Sequence, residues 1–134
     1  MDLRRAVLIV GLPGSGKTWL ARNEYVAQGF TLVDDPKTVS DVLQLLEDDV
    51  DVVLTDPNLV FENVREGAEK FFRSRFYQVE FVFFENAPAK AQRNLETREK
   101  EERRGQVTVS YFSRNYSIPP DAKTVPVYEP QENP

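Results

Sequence analysis

The stretch Gly11-Leu12-Pro13-Gly14-Ser15-Gly16-Lys17-Thr18 decides the fold. It matches the pattern G-x-x-x-x-G-K-[ST], in which glycines let backbone N–H groups turn towards phosphate oxygens. The helix that follows such a loop adds the attraction of its positive N-terminus. We therefore predict that these eight residues bind the phosphates of ATP or a similar nucleotide. Lys17 would reach the β- and γ-phosphates, and the Thr18 hydroxyl would be placed for Mg²⁺.

The residues on both sides of this loop predict a strand before it and a helix after it. Arg5–Val10 is too uniformly apolar for a half-solvated strand, which is typical of parallel strands. Lys17–Gln28 has a helical pattern closed by Gly29. The alternation continues with predicted strands over Thr31–Asp34, Asp51–Thr55, Val79–Phe84 and Thr124–Tyr128, and with predicted helices over Thr38–Asp48, Phe61–Arg75 and Pro88 to about Arg104 (ended by Gly105). Val107–Tyr116 is predicted to be a short helix or an ordered loop.

This alternation predicts an α/β protein, because strands that alternate with helices form βαβ crossovers around a parallel sheet. We expect a three-layer P-loop NTPase or kinase fold with five strands in the order 2-3-1-4-5. At 134 residues the chain fits a single domain over 1–134, with a polar tail over 129–134 that we expect to be disordered.

Composition narrows the possible chemistry. The chain has no histidine, so a general base near neutral pH must be a carboxylate, or a lysine or tyrosine with a shifted pKa. Histidine-ligated zinc, disulfides and thiolate metal sites are excluded, since cysteine is also absent. No apolar run approaches the roughly 20 residues that span a bilayer, so we expect a cytoplasmic protein without a membrane partner. The net charge of −5 argues against non-specific coating of nucleic acid.

Carboxylates follow two of the predicted strands, and ligands of such sheets bind beyond the carboxyl ends of the strands. Asp34 and Asp35 end the second strand; adjacent side chains there face opposite ways, so one of them can point over the phosphates and act as the base. Alternatively, they only end the strand before Pro36. Asp56 ends the third strand as in a Walker B element and would hold Mg²⁺, unless it only opens a turn.

Arginines and aromatic residues are concentrated after the fourth strand. Arg93 and Arg98 lie where small kinases place the arginines of a lid, which we expect over about 93–116, and a guanidinium stabilises the charge of a transferring phosphoryl group. The rest of that charged helix is typical of a solvated surface. Tyr111–Tyr116 interleaves aromatic residues with arginine, which suits stacking on a nucleobase or, equally, packing in the core.

Four stretches resemble the small P-loop kinases of the polynucleotide-kinase type that bacteriophages encode. They are Gly11–Arg22, Val52–Leu59, Val79–Glu85, and Gln92-Arg93-Asn94 with Arg98. The resemblance implies transfer of the γ-phosphate of ATP to a hydroxyl on nucleic acid. It also implies that Asp34 or Asp35 is the base and that Arg93 and Arg98 bind phosphates, and it places the protein in the host cytoplasm. In size the chain is similar to phage kinases that phosphorylate 5-hydroxymethyldeoxyuridine within DNA, a step of thymidine hypermodification.

Three other functions remain open on the sequence. A kinase for a free nucleoside or mononucleotide would act without a polymer. A nucleotide-dependent switch or assembly ATPase would bind ATP and use no acceptor. A fold that binds nucleotide but has lost its chemistry would tolerate alanine at both Asp34 and Asp35.

Overall fold

A computed structural model of the protein describes residues 3–36, 38–46, 48–98 and 105–129. Five strands form one sheet, and each neighbouring pair in it is parallel. Their order is β2-β3-β1-β4-β5, which confirms the predicted order. The strands are β1 (Arg4–Val10), β2 (Thr31–Asp34), β3 (Val52–Thr55), β4 (Tyr77–Phe84) and β5 (Thr124–Val125).

The helices cover both faces of this sheet. They are α1 (Lys17–Leu20), α2 (Val39–Leu46), α3 (Glu62–Arg73), α4 (Pro88–Arg98) and α5 (Gly105–Asn115). Alternate residues of a strand face opposite ways, so β1 contributes to two clusters. Leu8 packs among apolar residues of α2 to α5, whereas Ile9 packs with Ala21 and Phe30 on the side of α1. The uniformly apolar sequence of β1 therefore fits a central strand that meets water on neither face.

The predicted helix over Lys17–Gln28 has the right span but changes its pitch. After α1 the chain continues as a π-helical turn over Ala21–Tyr25 and a 3₁₀ turn over Val26–Gln28. A side-chain amide takes part in the change, because Asn23 Nδ2 donates to the Trp19 carbonyl at 2.7 Å, one turn back. Gly29 follows with a φ of 104°, as predicted for the residue that ends this segment.

Two predicted boundaries near the carboxyl end of the chain are wrong. β5 stops at Val125 instead of Tyr128, because the Val127 N–H donates to the Glu85 carboxylate and the Tyr128 N–H donates to the Ser15 carbonyl. These bonds turn the chain away from the sheet and across the glycine loop. Gly105 is the first residue of α5 and not a residue that ends a helix, whereas the predicted end of α4 at about Arg104 lies outside the described residues. Residues 99–104 lie outside the described chain.

Candidate active site

The glycine loop joins β1 to α1 and is held from outside by two other segments. Gly14 and Gly16 have φ angles of 84° and 106°, which only glycine adopts without strain. A Cβ on Gly14 would collide with the Ala91 carbonyl of α4, and one on Gly16 would lie 2.6 Å from Tyr128 Cβ. Glycine is therefore needed here both for the turn and for the close approach of neighbouring chain.

Lys17 lies within the loop that it follows. Its side chain is almost buried, and Nζ donates to the carbonyl oxygens of Gly11 and Leu12, each at 2.9 Å. Those carbonyls belong to the first two residues of the loop, so the ammonium lies beside the start of the loop. Turning amides with an ammonium beside them form a cradle that matches the oxygens of a polyphosphate.

Asp34 joins the glycine loop to two strands. Its Oδ1 accepts a hydrogen bond from Thr55 Oγ1 at 2.5 Å and another from Thr18 Oγ1 at 3.3 Å. Thr55 is buried and lies directly opposite Asp34 in the β2–β3 register. Consequently, a carboxylate is placed beside the Thr18 hydroxyl, which is the hydroxyl predicted to bind Mg²⁺.

Asp35 shares this location, although adjacent strand residues were expected to face opposite ways. β2 ends at Asp34, and Asp35 takes a left-handed conformation with a φ of 48° while its N–H donates to the Thr55 carbonyl at 2.6 Å. The alternation of a strand no longer applies beyond its end. Both carboxylates therefore line the cavity beside Lys17 and Thr18.

That cavity, which we call the phosphate cavity, has a volume of about 750 Å³ at the carboxyl ends of the strands. Its size falls within the range usual for ligand sites, about 300–1,000 Å³. Its walls come from the glycine loop, the ends of β2 and β3, α4 and the segment after β5: Pro13, Gly14, Gly16, Lys17, Thr18, Trp19, Asp34, Asp35, Thr55, Pro57, Asn94, Leu95, Thr97 and Tyr128.

Asp56 does not line the phosphate cavity. Its Oδ1 accepts from the Asn58 N–H at 2.9 Å and from Asn58 Nδ2 at 3.1 Å, and so it caps a 3₁₀ turn over Pro57–Val60. The structure thus shows Asp56 opening a turn, which is the alternative to a Walker B role. Its side chain lines a second cavity of about 340 Å³, between α2 and α3, and Asp34 occupies the place beside Thr18 that was expected for Asp56.

The predicted lid arginines do not contribute side chains to the described wall of the phosphate cavity. Arg93 is exposed and α4 instead presents Asn94, Leu95 and Thr97. Arg98 ends α4, and its side chain lies outside the described part of the structure. The phosphate-binding role expected of Arg93 and Arg98 therefore stays a prediction for both residues.

Asn94 is a site residue that the prediction of chemical roles missed. Its Nδ2 donates to the Gly14 carbonyl at 2.9 Å and to the Tyr128 carbonyl at 2.6 Å. One amide therefore ties α4 to the glycine loop and to the segment after β5. The charge of Arg93, the preceding residue, suggested a role in phosphate binding. An asparagine in a helix gives no comparable signal, because its two partners are distant in the sequence.

Tyr128 is a second residue that the sequence did not single out. Its ring stacks on Trp19 with centroids 5.0 Å apart and an angle of 29° between the planes. The segment that carries it is anchored by Glu85, whose Oε1 accepts from the Val127 N–H and lies 3.4 Å from Lys90 Nζ. The Val127 N–H bond and, to a smaller extent, the Lys90 charge hold the pKa of Glu85 below its ordinary value.

Two of the three aromatic residues in the stretch Tyr111–Tyr116 pack into the protein interior. Phe112 is buried in the main cluster, and Tyr116 donates its hydroxyl to the Phe84 carbonyl at 2.6 Å. Burial raises the pKa of Tyr116. Tyr111 is half exposed but packs against Phe61. Of the two interpretations that the sequence left open, core packing accounts for Phe112 and Tyr116.

Within the described ranges, no group of three or more acidic, histidine or cysteine side chains could enclose a metal ion. Across the same part of the chain, no helix combines the length and the apolar composition required to cross a membrane.

The chain was compared with known proteins. No family model matches it. It is 29% identical over 121 residues to an uncharacterized protein of Acanthamoeba polyphaga mimivirus, covering 86% of this chain and 88% of the viral one. Its fold is similar to that of a gluconokinase from Sinorhizobium meliloti 1021, with a TM-score of 0.66, 14% identity, and coverage of 97% of this chain and 86% of the other. The chain therefore has the fold of a P-loop kinase.

Proposed function

We propose that this protein is an ATP- and Mg²⁺-dependent kinase that transfers the γ-phosphate to a hydroxyl on a nucleotide or nucleic acid. The observation that carries the proposal is that Lys17, Thr18, Asp34 and Asp35 line one cavity at the carboxyl end of a parallel sheet. An ammonium, a hydroxyl and two carboxylates are the groups that phosphoryl transfer to an alcohol requires. The kinase fold of the structural neighbour supports the same reaction class.

The phosphate side of the reaction would be carried by the glycine loop. Its amides and Lys17 would hold the β- and γ-phosphates, with Lys17 exchanging the carbonyls of Gly11 and Leu12 for phosphate oxygens. Thr18 and Asp34, which already share a hydrogen bond, would hold Mg²⁺ and its water. When bound, the metal supplies charge neutralisation for the polyphosphate.

The acceptor side would depend on Asp35. In the reaction a P–O bond forms between the acceptor oxygen and the γ-phosphorus while the bond to the bridging β,γ-oxygen breaks. The hydroxyl proton needs a base, and without histidine a carboxylate must take it. Asp34 bonds to the Thr18 hydroxyl and so belongs with the metal in this proposal, and we assign the proton to Asp35, the other carboxylate that lines the cavity.

The finer assignment is that the hydroxyl belongs to 5-hydroxymethyluracil in DNA or to a 5′-hydroxyl end. It is supported by the stretches that resemble phage polynucleotide kinases, among them Val52–Leu59 and Gln92-Arg93-Asn94. The viral relative is compatible with this origin. Arg98 is the candidate for a lid arginine within the proposal.

The experiment follows label from γ-³²P-ATP into 5′-hydroxyl DNA, DNA containing 5-hydroxymethyluracil, RNA, nucleosides and mononucleotides. Lys17→Ala removes the ammonium at the loop, and Lys70→Ala, an exposed lysine of α3, is the matched control. We expect label in one acceptor class, lost in Lys17→Ala and retained in Lys70→Ala. ATP binding without label in any acceptor would instead favour a nucleotide switch.

A further inference from the structure

Two carbonyl groups in the middle of the glycine loop accept hydrogen bonds from outside the loop. The Gly14 carbonyl accepts from Asn94 Nδ2 of α4 at 2.9 Å, and the Ser15 carbonyl accepts from the Tyr128 N–H at 2.9 Å. Asn94 is 80 residues away from Gly14 in the sequence, and Tyr128 is more distant still. The conformation of this part of the loop is therefore held by tertiary contacts in addition to local turns.

These bonds fix the direction of the amides that belong to the same peptide groups. In a trans peptide the C=O and N–H groups point in opposite directions. The Ser15 carbonyl points towards Tyr128, so the Gly16 N–H points away from it. The N–H of the other peptide, that of Ser15, closes the inner turn of the loop by donating to the Leu12 carbonyl at 3.1 Å. Holding the two carbonyls thus holds the orientation of the amides.

One side-chain amide closes this arrangement. A primary amide nitrogen has two hydrogens, and Asn94 Nδ2 donates to the Gly14 carbonyl and to the Tyr128 carbonyl at 2.6 Å. Tyr128 in turn donates its N–H to Ser15, the residue after Gly14. The Asn94 amide and the Tyr128 backbone together form what we call the loop brace. Both hydrogens of the amide are used, so a side chain without donors cannot replace it.

Packing keeps the loop brace within reach of the glycine loop. A Cβ on Gly14 would lie 2.8 Å from Leu95 Cγ, so the helix that carries Asn94 is in direct contact with the loop. α4 also contacts the segment after β5, because Lys90 Nζ lies 3.5 Å from Glu129 Oε1. The short side chain of an asparagine therefore reaches both partners without an intervening water.

We propose that Asn94 is a positioning residue for ATP, and that its amide keeps the glycine loop in the conformation that binds the donor's phosphates. This inference rests on the proposed function, since it concerns the phosphate donor of that reaction. Glycines give the loop access to other backbone conformations, which the loop brace disfavours. Without the brace a smaller fraction of molecules has the binding conformation, and the apparent affinity for phosphates falls by that fraction.

The experiment measures the affinity of the native protein and of Asn94→Ala for two probes by calorimetric titration with Mg²⁺. The probes are a non-hydrolysable ATP analogue and inorganic tripolyphosphate. We expect Asn94→Ala to raise both Kd values by at least about 10-fold, because two hydrogen bonds that favour the binding conformation are lost. The factor should agree within about 2-fold between the probes, since the phosphates are the part that they share.

Two outcomes would overturn the proposal. If Asn94→Ala unfolds at a lower urea concentration but keeps both Kd values, the amide has a structural role only. If the ATP analogue binds more weakly while tripolyphosphate binds as before, Asn94 acts on the nucleoside and not on the phosphates. Circular dichroism at the titration temperature shows that each variant is folded. Asn94→Leu has no donor but keeps the bulk of the side chain, so it gives the same test if Asn94→Ala does not fold.

Asn86→Ala is the matched control. Asn86 Nδ2 also donates to a distant carbonyl, that of Ser113 in α5, at 2.9 Å, and the two residues are 27 apart in the sequence. We expect both Kd values of Asn86→Ala to stay within about 2-fold of the native ones, because this bond does not touch the glycine loop. An equal loss of tripolyphosphate affinity in Asn86→Ala and Asn94→Ala would mean a general loosening of the fold and would contradict the proposal.

Transfer of label from γ-³²P-ATP tests the proposed function separately. A native protein that binds both probes and labels no acceptor is not a kinase for those acceptors, while the comparison of Asn94→Ala with Asn86→Ala still decides the role of the loop brace. A native protein that binds neither probe would overturn both proposals.

Discussion

The ends of β2 and β3 are built from the same residues and serve different purposes. β2 is followed by Asp35 and Pro36, and β3 by Asp56 and Pro57. At the first end the carboxylates turn towards Lys17 and Thr18; at the second the carboxylate folds back to cap a turn. The residue type alone does not determine what a carboxylate at a strand end does.

Backbone conformation explains the difference. Asp35 has a φ of 48°, so the chain leaves β2 with its side chain still on the side of the glycine loop. Asp56 is extended, with a φ of −156°, and its side chain reaches Asn58 two residues ahead. An extended aspartate before Pro-Asn is well placed to form this local turn, which competes with a role at the phosphate site.

The largest expected effect is a loss of catalytic rate on substitution of Asp35, compared with Asp49, an aspartate of similar backbone conformation outside the cavity. Asp35→Asn should lower kcat by about 10²- to 10⁴-fold, because the amide cannot take the hydroxyl proton. Asp49 has a similar φ of 52° but lies at the other end of the strands, paired with Arg4 at the start of β1. Asp49→Asn is therefore the matched control for the backbone conformation.

Steady-state rates of labelled phosphate transfer measure both variants. Comparable losses in Asp35→Asn and Asp49→Asn would remove the distinction between the two aspartates. Full activity in Asp35→Asn would move the base to Asp34.

A smaller effect tests the link between the two strand ends. Thr55→Val keeps the shape of a buried side chain and removes the hydroxyl that donates to Asp34. We expect the free energy of unfolding to fall by about 1 kcal/mol, as for a typical hydrogen bond, and the Mg²⁺ concentration for half-maximal rate to rise. The control is Thr31→Val at the start of β2, where the threonine side chain makes no described hydrogen bond.

Urea unfolding and a Mg²⁺ titration of the rate measure the two consequences separately. A stability loss in Thr55→Val with an unchanged Mg²⁺ requirement would assign Thr55 a purely structural role.

Much of the fold could be predicted from the sequence because its signals are local. The apolar run of β1, the glycine pattern after it and the cap at Gly29 each depend on neighbouring residues. The alternation predicted the parallel sheet, and the strand order expected for this fold is confirmed. The bounds of β5 depended on Glu85 and Ser15, which are far away in the sequence, and so they could not be predicted.

The residues of the candidate site could be named from the sequence where a local motif or a strand end indicates them. The contacts between distant segments could not be predicted. Lys17 and Thr18 were placed by the glycine pattern, and Asp34 and Asp35 by the end of a strand. The bond between Asp34 and Thr55 requires the β2–β3 register, and the amide bridge of Asn94 requires the position of Tyr128. Neither contact has a signature in the spacing of residues along the chain.

The cap at the end of β3 should have a modest effect on stability. Asp56→Ala removes the acceptor for the Asn58 N–H and should lower the free energy of unfolding by about 0.5–1 kcal/mol, within the range of lost caps. Asp56→Asn retains an acceptor oxygen and should lose less than half of that. If both variants unfold at the same urea concentration as the native protein, the turn does not depend on this cap.

The smallest expected effect concerns a third strand end, where β4 is followed by Glu85. Its carboxylate accepts from the Val127 N–H, and the pKa of Glu85 is lowered by this bond and by Lys90. A lowered pKa in the folded state means that the stabilisation is present above the ordinary value of 4.5 and is lost as pH falls through the folded pKa. Since the carboxylate is about one-third exposed, with a side-chain exposure of 34%, we expect no more than about 0.5 kcal/mol.

The fluorescence of Trp19, which stacks on Tyr128 in the anchored segment, reports this change. In the native protein it should change below pH 4.5 before global unfolding, and in Glu85→Gln the step should be absent. A step that persists in Glu85→Gln would mean that another group titrates and anchors the segment. The bond from the Val127 N–H to Glu85 would then contribute nothing measurable to stability, in contrast to the cap that Asp56 forms with the Asn58 N–H.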